Sequence, residues 1–138
     1  MSREEALEFL SEGTRTGKVA TVREDGRPHV VPVWFIVDGE DLVFTTWHRS
    51  VKALNLTRNS WAALVADLEE PPYAHVTVEG RVSISDDLDE LEEYATRIGG
   101  RYMGEDRAEE FGARNAVPGE VVVRLRIEKI MAKDDMTG

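Results

Sequence analysis

Alternation of apolar and polar residues with a period of two runs through most of the chain, and that period predicts strands. The clearest case is AHVTVEGRVSI (74–84), in which Val76, Val78, Val82 and Ile84 share one face and His75, Thr77, Glu79, Arg81 and Ser83 the other. KVATV (18–22) and HVVPVWFIV (29–37) flank EDGR, and DLVFTT (41–46) follows a second Asp-Gly. Asp-Gly between apolar runs is a strong hairpin signal because both residues tolerate positive φ, so these three strands are expected to form a meander. WAALVA (61–66) and EVVVRLRIEKIM (120–131) complete a set of six strands. Helical spacing appears elsewhere. Ala6, Leu7, Phe9 and Leu10, with Ser2 and Glu5 placed as a capping box, predict a helix over 3–12. Ser50 can cap a helix through Arg58, and Asp86 or Asp87 can cap one carrying Leu88, Leu91, Ala95 and Ile98 and ending at Gly99-Gly100. A short helix is expected near 107–112. The pattern predicts one mainly β (α+β) domain over 1–138, antiparallel, with three or four peripheral helices.

One residue conflicts with this plan. Pro32 interrupts the most apolar strand, yet proline cannot donate a ladder hydrogen bond and belongs at an edge or bulge.

Composition narrows the function classes. An apolar content of 41% argues against disorder, no apolar run is long enough to span a bilayer, and the start shows no signal-peptide pattern. The absence of cysteine removes disulfide and thiolate chemistry. A cytoplasmic protein is expected. The net charge of −10 disfavours a nucleic-acid partner, which requires a basic surface. Locally the balance reverses: residues 42–66 contain no Asp or Glu but carry Arg49, Lys52 and Arg58.

Candidate chemistry concentrates in TTWHRSVKALNL (45–56), which joins a strand end, hydroxyls, cations and a helix start. Backbone N–H groups at a helix N-terminus attract anions, and Arg49 and Lys52 would add charge-assisted hydrogen bonds there. That layout suits a phosphate; the same cations could equally serve only to solvate a helix. His29, His48 and His75 have no metal-ligand spacing, so no metal site is expected. Nucleophile elbows, Walker loops and dinucleotide glycine motifs are absent.

The succession from GKVATV to WAALVAD resembles the N-terminal half of the pyridoxamine 5′-phosphate oxidase-like, flavin-binding split β-barrel superfamily. GGRYMGEDRAEEFGARNAVPGEVVVRLR is similar to the branch whose members use the deazaflavin coenzyme F420. The resemblance implies a six-stranded antiparallel split β-barrel with peripheral helices, homodimeric, with shared cofactor sites at the subunit interface. It implies that Pro32, Val33 and Trp34 run beside the cofactor ring. The phosphate element matches Thr45, Thr46, Arg49, Ser50 and Lys52, with Asn55 nearby, and Arg114 and Asn115 are the implied partner-subunit contributions. Pyridoxamine phosphate oxidases also carry a glutamine-arginine pair and a C-terminal arginine-histidine segment; AHVTVEG and the short C-terminus depart from both.

Three functions follow from the resemblance. The first is an F420-dependent reductase passing hydride to an unsaturated small-molecule acceptor, with water, Tyr102 or His75 supplying the proton. An FMN-dependent oxidoreductase is the second, and a non-catalytic module holding a flavin or deazaflavin is the third.

Overall fold

The computed structural model describes all of residues 1–138. Its centre is one curled, wholly antiparallel sheet. The eight strands are β1 (Gly17–Val22), β2 (Pro28–Val33), β3 (Ile36–Asp38), β4 (Asp41–Trp47), β5 (Trp61–Asp67), β6 (His75–Ser85), β7 (Glu120–Arg126) and β8 (Lys129–Lys133). They follow the order β2-β1-β5-β6-β7-β4-β3, with β8 pairing β6 off that path. The helices are α1 (Arg3–Ser11), α2 (Val51–Arg58), α3 (Leu88–Met103) and α4 (Ala108–Asn115), with a single 3₁₀ turn (Glu105–Arg107) before the last. No helix is long and apolar enough to cross a membrane.

Two strands more than the expected six arise from two breaks in apolar runs. HVVPVWFIV is not one strand: β2 pairs with β1 and β3 with β4, but β2 and β3 do not pair with each other. They are the two ends of the strand order, and Trp34 and Phe35 carry the chain across the open seam between them. The expected meander is therefore two separate hairpins. Gly26 and Gly39, in the two hairpin turns, both take positive φ, +91° and +62°. Pro32 lies on an edge strand, where a missing N–H costs little.

The second break is at Ile127 and Glu128. There the two backbone N–H groups leave the ladder for Glu40 and Glu79 carbonyls, and the chain resumes as β8 beside β6. β6 thus meets β8 over its first half and β7 over its second. Gly80 sits at the changeover, where a Cβ would collide with the Arg126 carbonyl.

The main core fills the inside of the curl. Val19, Leu64, Val76, Val78, Phe44, Val123 and Leu125 are essentially inaccessible, and Phe35, Leu10 and Leu56 close the ends. Burying each such side chain contributes about 1.5–3 kcal/mol. A smaller core lies outside the curl, where Ile36, Val43 and Val122 meet Leu91, Tyr94 and Ile98 of α3. The alternation in β6 weakens past Gly80: Val76 and Val78 are buried, whereas Ile84 is exposed.

α3 does not stop at Gly99-Gly100. It continues to Met103 and ends at Gly104, whose φ is +103°. The glycines serve close packing instead: a Cβ on Gly99 would come within 2.5 Å of the Phe111 Cβ on α4, and one on Gly112 would collide with Thr96.

Candidate active site

Because side chains alternate along a strand, the β4–β7 ladder has two faces. Leu42, Phe44, Val121, Val123 and Leu125 point into the main core. Val43 and Val122 point outward beneath α3, and so, further along each strand, do Thr45, Trp47 and Glu120. The register pairs Thr45 with Val122 and Trp47 with Glu120. α3 covers only part of this face. Beyond it lies a cleft of about 350 Å³, floored by Thr45, Thr46, Trp47 and Glu120, a volume at the lower end for small-molecule pockets.

Three other elements wall the cleft. Pro32, Val33 and Trp34 enter from the seam, Ala95, Ile98 and Gly99 from α3, and Phe111 and Asn115 from α4. Lys52 reaches in from the first turn of α2. The Trp34 ring is held flat against Tyr102, with centroids 5.0 Å apart and planes 7° apart, and tilts toward Phe111 at 6.0 Å. Offset aromatic contacts of this kind fix ring orientation. Tyr102 is itself tied down, accepting from the Phe35 N–H at 3.2 Å and donating to the Arg15 carbonyl at 3.0 Å. Arg101 secures the same crossover by donating to the carbonyls of Phe35 and Leu10, at 2.6 and 2.8 Å. The seam is thus rigid where the cleft needs a wall.

The sequence-predicted residues separate into two groups. Pro32, Val33, Trp34, Thr45, Thr46, Lys52 and Asn115 line the cleft; Arg49, Ser50, Asn55 and Arg114 do not. Ser50 caps α2, accepting from the Ala53 N–H at 3.2 Å and from the Thr46 hydroxyl at 3.1 Å. It positions the helix start, whose first-turn N–H groups at Val51 and Lys52 have no intrahelical acceptor. Arg49 is exposed and makes no side-chain hydrogen bond or ion pair. Asn55 is buried among protein groups, donating to the Thr21 hydroxyl at 3.0 Å and accepting from Arg58 at 3.0 Å. Arg58 is committed to that role, so the cationic island of the sequence reduces to one cation in the cleft, Lys52. Arg114 lies over the Phe111 ring, 4.7 Å from its centroid.

Neither suggested proton donor is free in the cleft. The Tyr102 hydroxyl spends its proton on Arg15, and burial raises its pKa. His75 lies on β6, opposite Asp67 and Lys133.

Sequence reasoning missed Glu120. The strand period of EVVVRLR puts it on the same face as Val122 and Arg124, but only the pairing with Trp47 places it in the cleft. Burial holds the Lys52 ammonium below the usual lysine value, opposed by the charge of Glu120. Burial pushes the Glu120 carboxyl above the usual glutamate value, opposed by Lys52. Neither side chain is hydrogen-bonded or ion-paired. A half-buried cation without a partner, the Thr45 hydroxyl and aromatic walls form a donor set suited to an anionic group attached to a flat ring.

The family model described as Pyridoxamine 5′-phosphate oxidase matches residues 2–134. An F420H(2)-dependent biliverdin reductase from Mycobacterium tuberculosis (strain CDC 1551 / Oshkosh) is 28% identical over 135 residues, covering 96% of this chain and 89% of the relative. A solved structure described as an F420 reductase is 30% identical, with a TM-score of 0.72, covering 90% of this chain and 94% of that one. A conserved hypothetical protein from Mycobacterium tuberculosis superposes with a TM-score of 0.85 at 25% identity, covering 97% of this chain and 85% of that one.

Proposed function

The chain belongs to the pyridoxamine 5′-phosphate oxidase family, and from that premise we propose that it is an F420-dependent oxidoreductase whose cofactor occupies the cleft between β4, α3 and α4. The observation that carries this reading is the half-buried, unpaired Lys52 facing Trp34 and Phe111 across one cleft. The residues present fit such a group: Lys52 and the open amides of α2 suit a phosphate, Trp34 and Phe111 suit a ring face, and Pro32 and Val33 supply edge backbone.

When bound, reduced F420 supplies a hydride from its ring C5 to an electron-poor double bond of a small-molecule acceptor. The protein's residues bind, orient and exclude water. Rigid seam contacts from Tyr102 and Arg101 hold Trp34 in place, and α3 and α4, locked together through Gly99 and Gly112, set the height of the opposite wall. No side chain need act as a nucleophile, and with Tyr102 engaged the proton that accompanies the hydride comes from water.

The active form is a homodimer in this reading. Val30 and Trp61 stand exposed on the outer side of β2 and β5, at 66% and 42%, and β2 is a free sheet edge; both favour pairing of subunits. Arg114, exposed over the Phe111 ring beside the cleft, is the residue that would extend toward a neighbouring subunit in this reading.

Titration with F420 and separately with FMN, followed by tryptophan fluorescence, tests the proposal. Quenching by F420 that Trp34→Phe and Trp47→Phe diminish and Trp61→Phe preserves supports it. Quenching by FMN alone favours an FMN-dependent oxidoreductase, and binding of F420 without oxidation of its reduced form by any unsaturated acceptor favours a non-catalytic carrier.

A further inference from the structure

Two opposite charges line the cleft, and neither has a hydrogen bond or an ion pair. Lys52 stands on the first turn of α2 and Glu120 heads β7. Burial displaces each toward its neutral form, and each feels the other's charge. The remaining ionisable groups nearby are otherwise engaged or outside. His48, after β4, is exposed and its Nδ1 lies 2.9 Å from the Gly119 carbonyl. Arg114 on α4 stacks on Phe111, Arg49 is exposed, and α3 lines the cleft with Ala95, Ile98 and Gly99 only. A phosphate entering here therefore meets, from this chain, one cation and one carboxylate.

That pairing distinguishes phosphates by charge. A phosphomonoester carries about −1.5 to −2 at neutral pH, whereas a phosphodiester carries a single negative charge. Lys52 can neutralise one charge; a second faces Glu120 uncompensated. We propose that Glu120 is a specificity-determining residue whose carboxylate, beside Lys52, admits the phosphodiester of F420 and disfavours the phosphomonoester of FMN. The inference rests on the reading that this cleft holds the cofactor's phosphate. Thr45 and the α2 amides bind either phosphate; Glu120 tells them apart.

Coulomb repulsion scales with the charge facing the carboxylate, so removing the carboxylate changes the logarithm of affinity about twice as much where the phosphate beside it is a monoester dianion as where it is a diester monoanion. The test measures dissociation constants of FMN, F420 and riboflavin, which has no phosphate, for wild type, Glu120→Gln and Glu120→Asp in low-salt buffer. Glu120→Gln is expected to tighten FMN about tenfold, F420 about threefold and riboflavin not at all. The preference for F420 over FMN then falls about threefold, the gains shrink at high salt, and Glu120→Asp retains the wild-type order. A purely structural role would move all three ligands together. An unchanged FMN to F420 ratio in Glu120→Gln overturns the charge selection alone, and failure of wild type and Glu120→Gln to bind either cofactor overturns both this inference and the cofactor reading.

Discussion

The outward face of the β4–β7 ladder carries charges at both ends, and the two ends are built on opposite principles. At one end Arg124 donates to Glu90 at 2.6 Å, to the Tyr94 hydroxyl at 3.1 Å and to Asp41 at 3.3 Å, while Arg126 takes the other Asp41 oxygen at 2.7 Å. Tyr94 donates its own hydroxyl hydrogen bond to Asp38 at 2.6 Å, and Arg97 stands 3.4 Å from the same carboxylate. Burial works against the Arg124 charge, but the hydrogen bonds it donates to Tyr94 and Glu90 outweigh it and raise its pKa. At the other end Glu120, at the start of β7, and Lys52, reaching over from α2, have nothing to bond to. Partly buried charges are stabilising only when satisfied. The paired end clamps α3 onto the sheet; the unpaired end retains free binding capacity in the cleft. The contrast locates the candidate site without reference to any relative.

Disrupting the paired end should have the largest effect on stability and the least on ligand. Arg124→Ala strands Glu90, frees the Tyr94 hydroxyl oxygen and leaves Asp41 with Arg126 alone, and is expected to cost about 2–3 kcal/mol, less than the loss for a fully buried pair because Arg124 keeps some exposure. Chemical denaturation measures it, and cofactor affinity in the folded fraction should hold.

Lys52→Ala reverses the pattern. Cofactor affinity is expected to fall about 10- to 100-fold, the loss of a charge-assisted contact, while unfolding free energy stays within about 0.5 kcal/mol of wild type. Arg49→Ala is the matched control and should do neither.

Asn55→Ala sharpens the distinction between satisfied and free polar groups. Its loss leaves the Thr21 hydroxyl without its partner and Arg58 with only the Val22 carbonyl, and is expected to cost about 1–2 kcal/mol in stability, measured by thermal and chemical unfolding, with ligand affinity unchanged.

Acid titration separates the two ends by sign. Tyr94's hydrogen bond, outweighing desolvation, holds the Asp38 pKa below the usual value. Asp38 thus contributes stability present above its unfolded-state pKa and lost as pH falls through the lower native value. Burial raises the Glu120 pKa, so its contribution is fully present below the unfolded-state pKa and is lost as pH rises through the native one. Stability measured from neutral to acid pH should therefore lose its Glu120-linked gain in Glu120→Gln, at the less acid end, and its Asp38-linked loss in Asp38→Asn, at the more acid end.

What could be read from residues in order was local. Ser2 with Glu5 makes both reciprocal bonds of the capping box, and Ser50 caps α2 as its position before an apolar helix suggests. Lys52 was legible as a cation at a helix start. What failed depended on distant partners. Gly99-Gly100 reads as a helix stop, and only contact with α4 turns it into a packing surface. Asn55 reads as a group near the phosphate element, whereas its amide bonds Thr21, more than thirty residues away, and Arg58. Glu120 reads as the polar first residue of a strand, and its cleft position exists only through the register of β7 on β4. Pro32 signalled an edge, but which strands the seam at Trp34 separates was not legible, since that is a property of the sheet order and not of the strand.

A crystal structure of the protein with F420 tests the central claim most directly. The account predicts the deazaflavin ring against Trp34 and Phe111 and a phosphate oxygen within hydrogen-bond distance of the Lys52 Nζ. Ligand seated instead in the larger groove between Arg15, Lys18, Asp67 and Glu70, with Lys52 still unpaired, would contradict it.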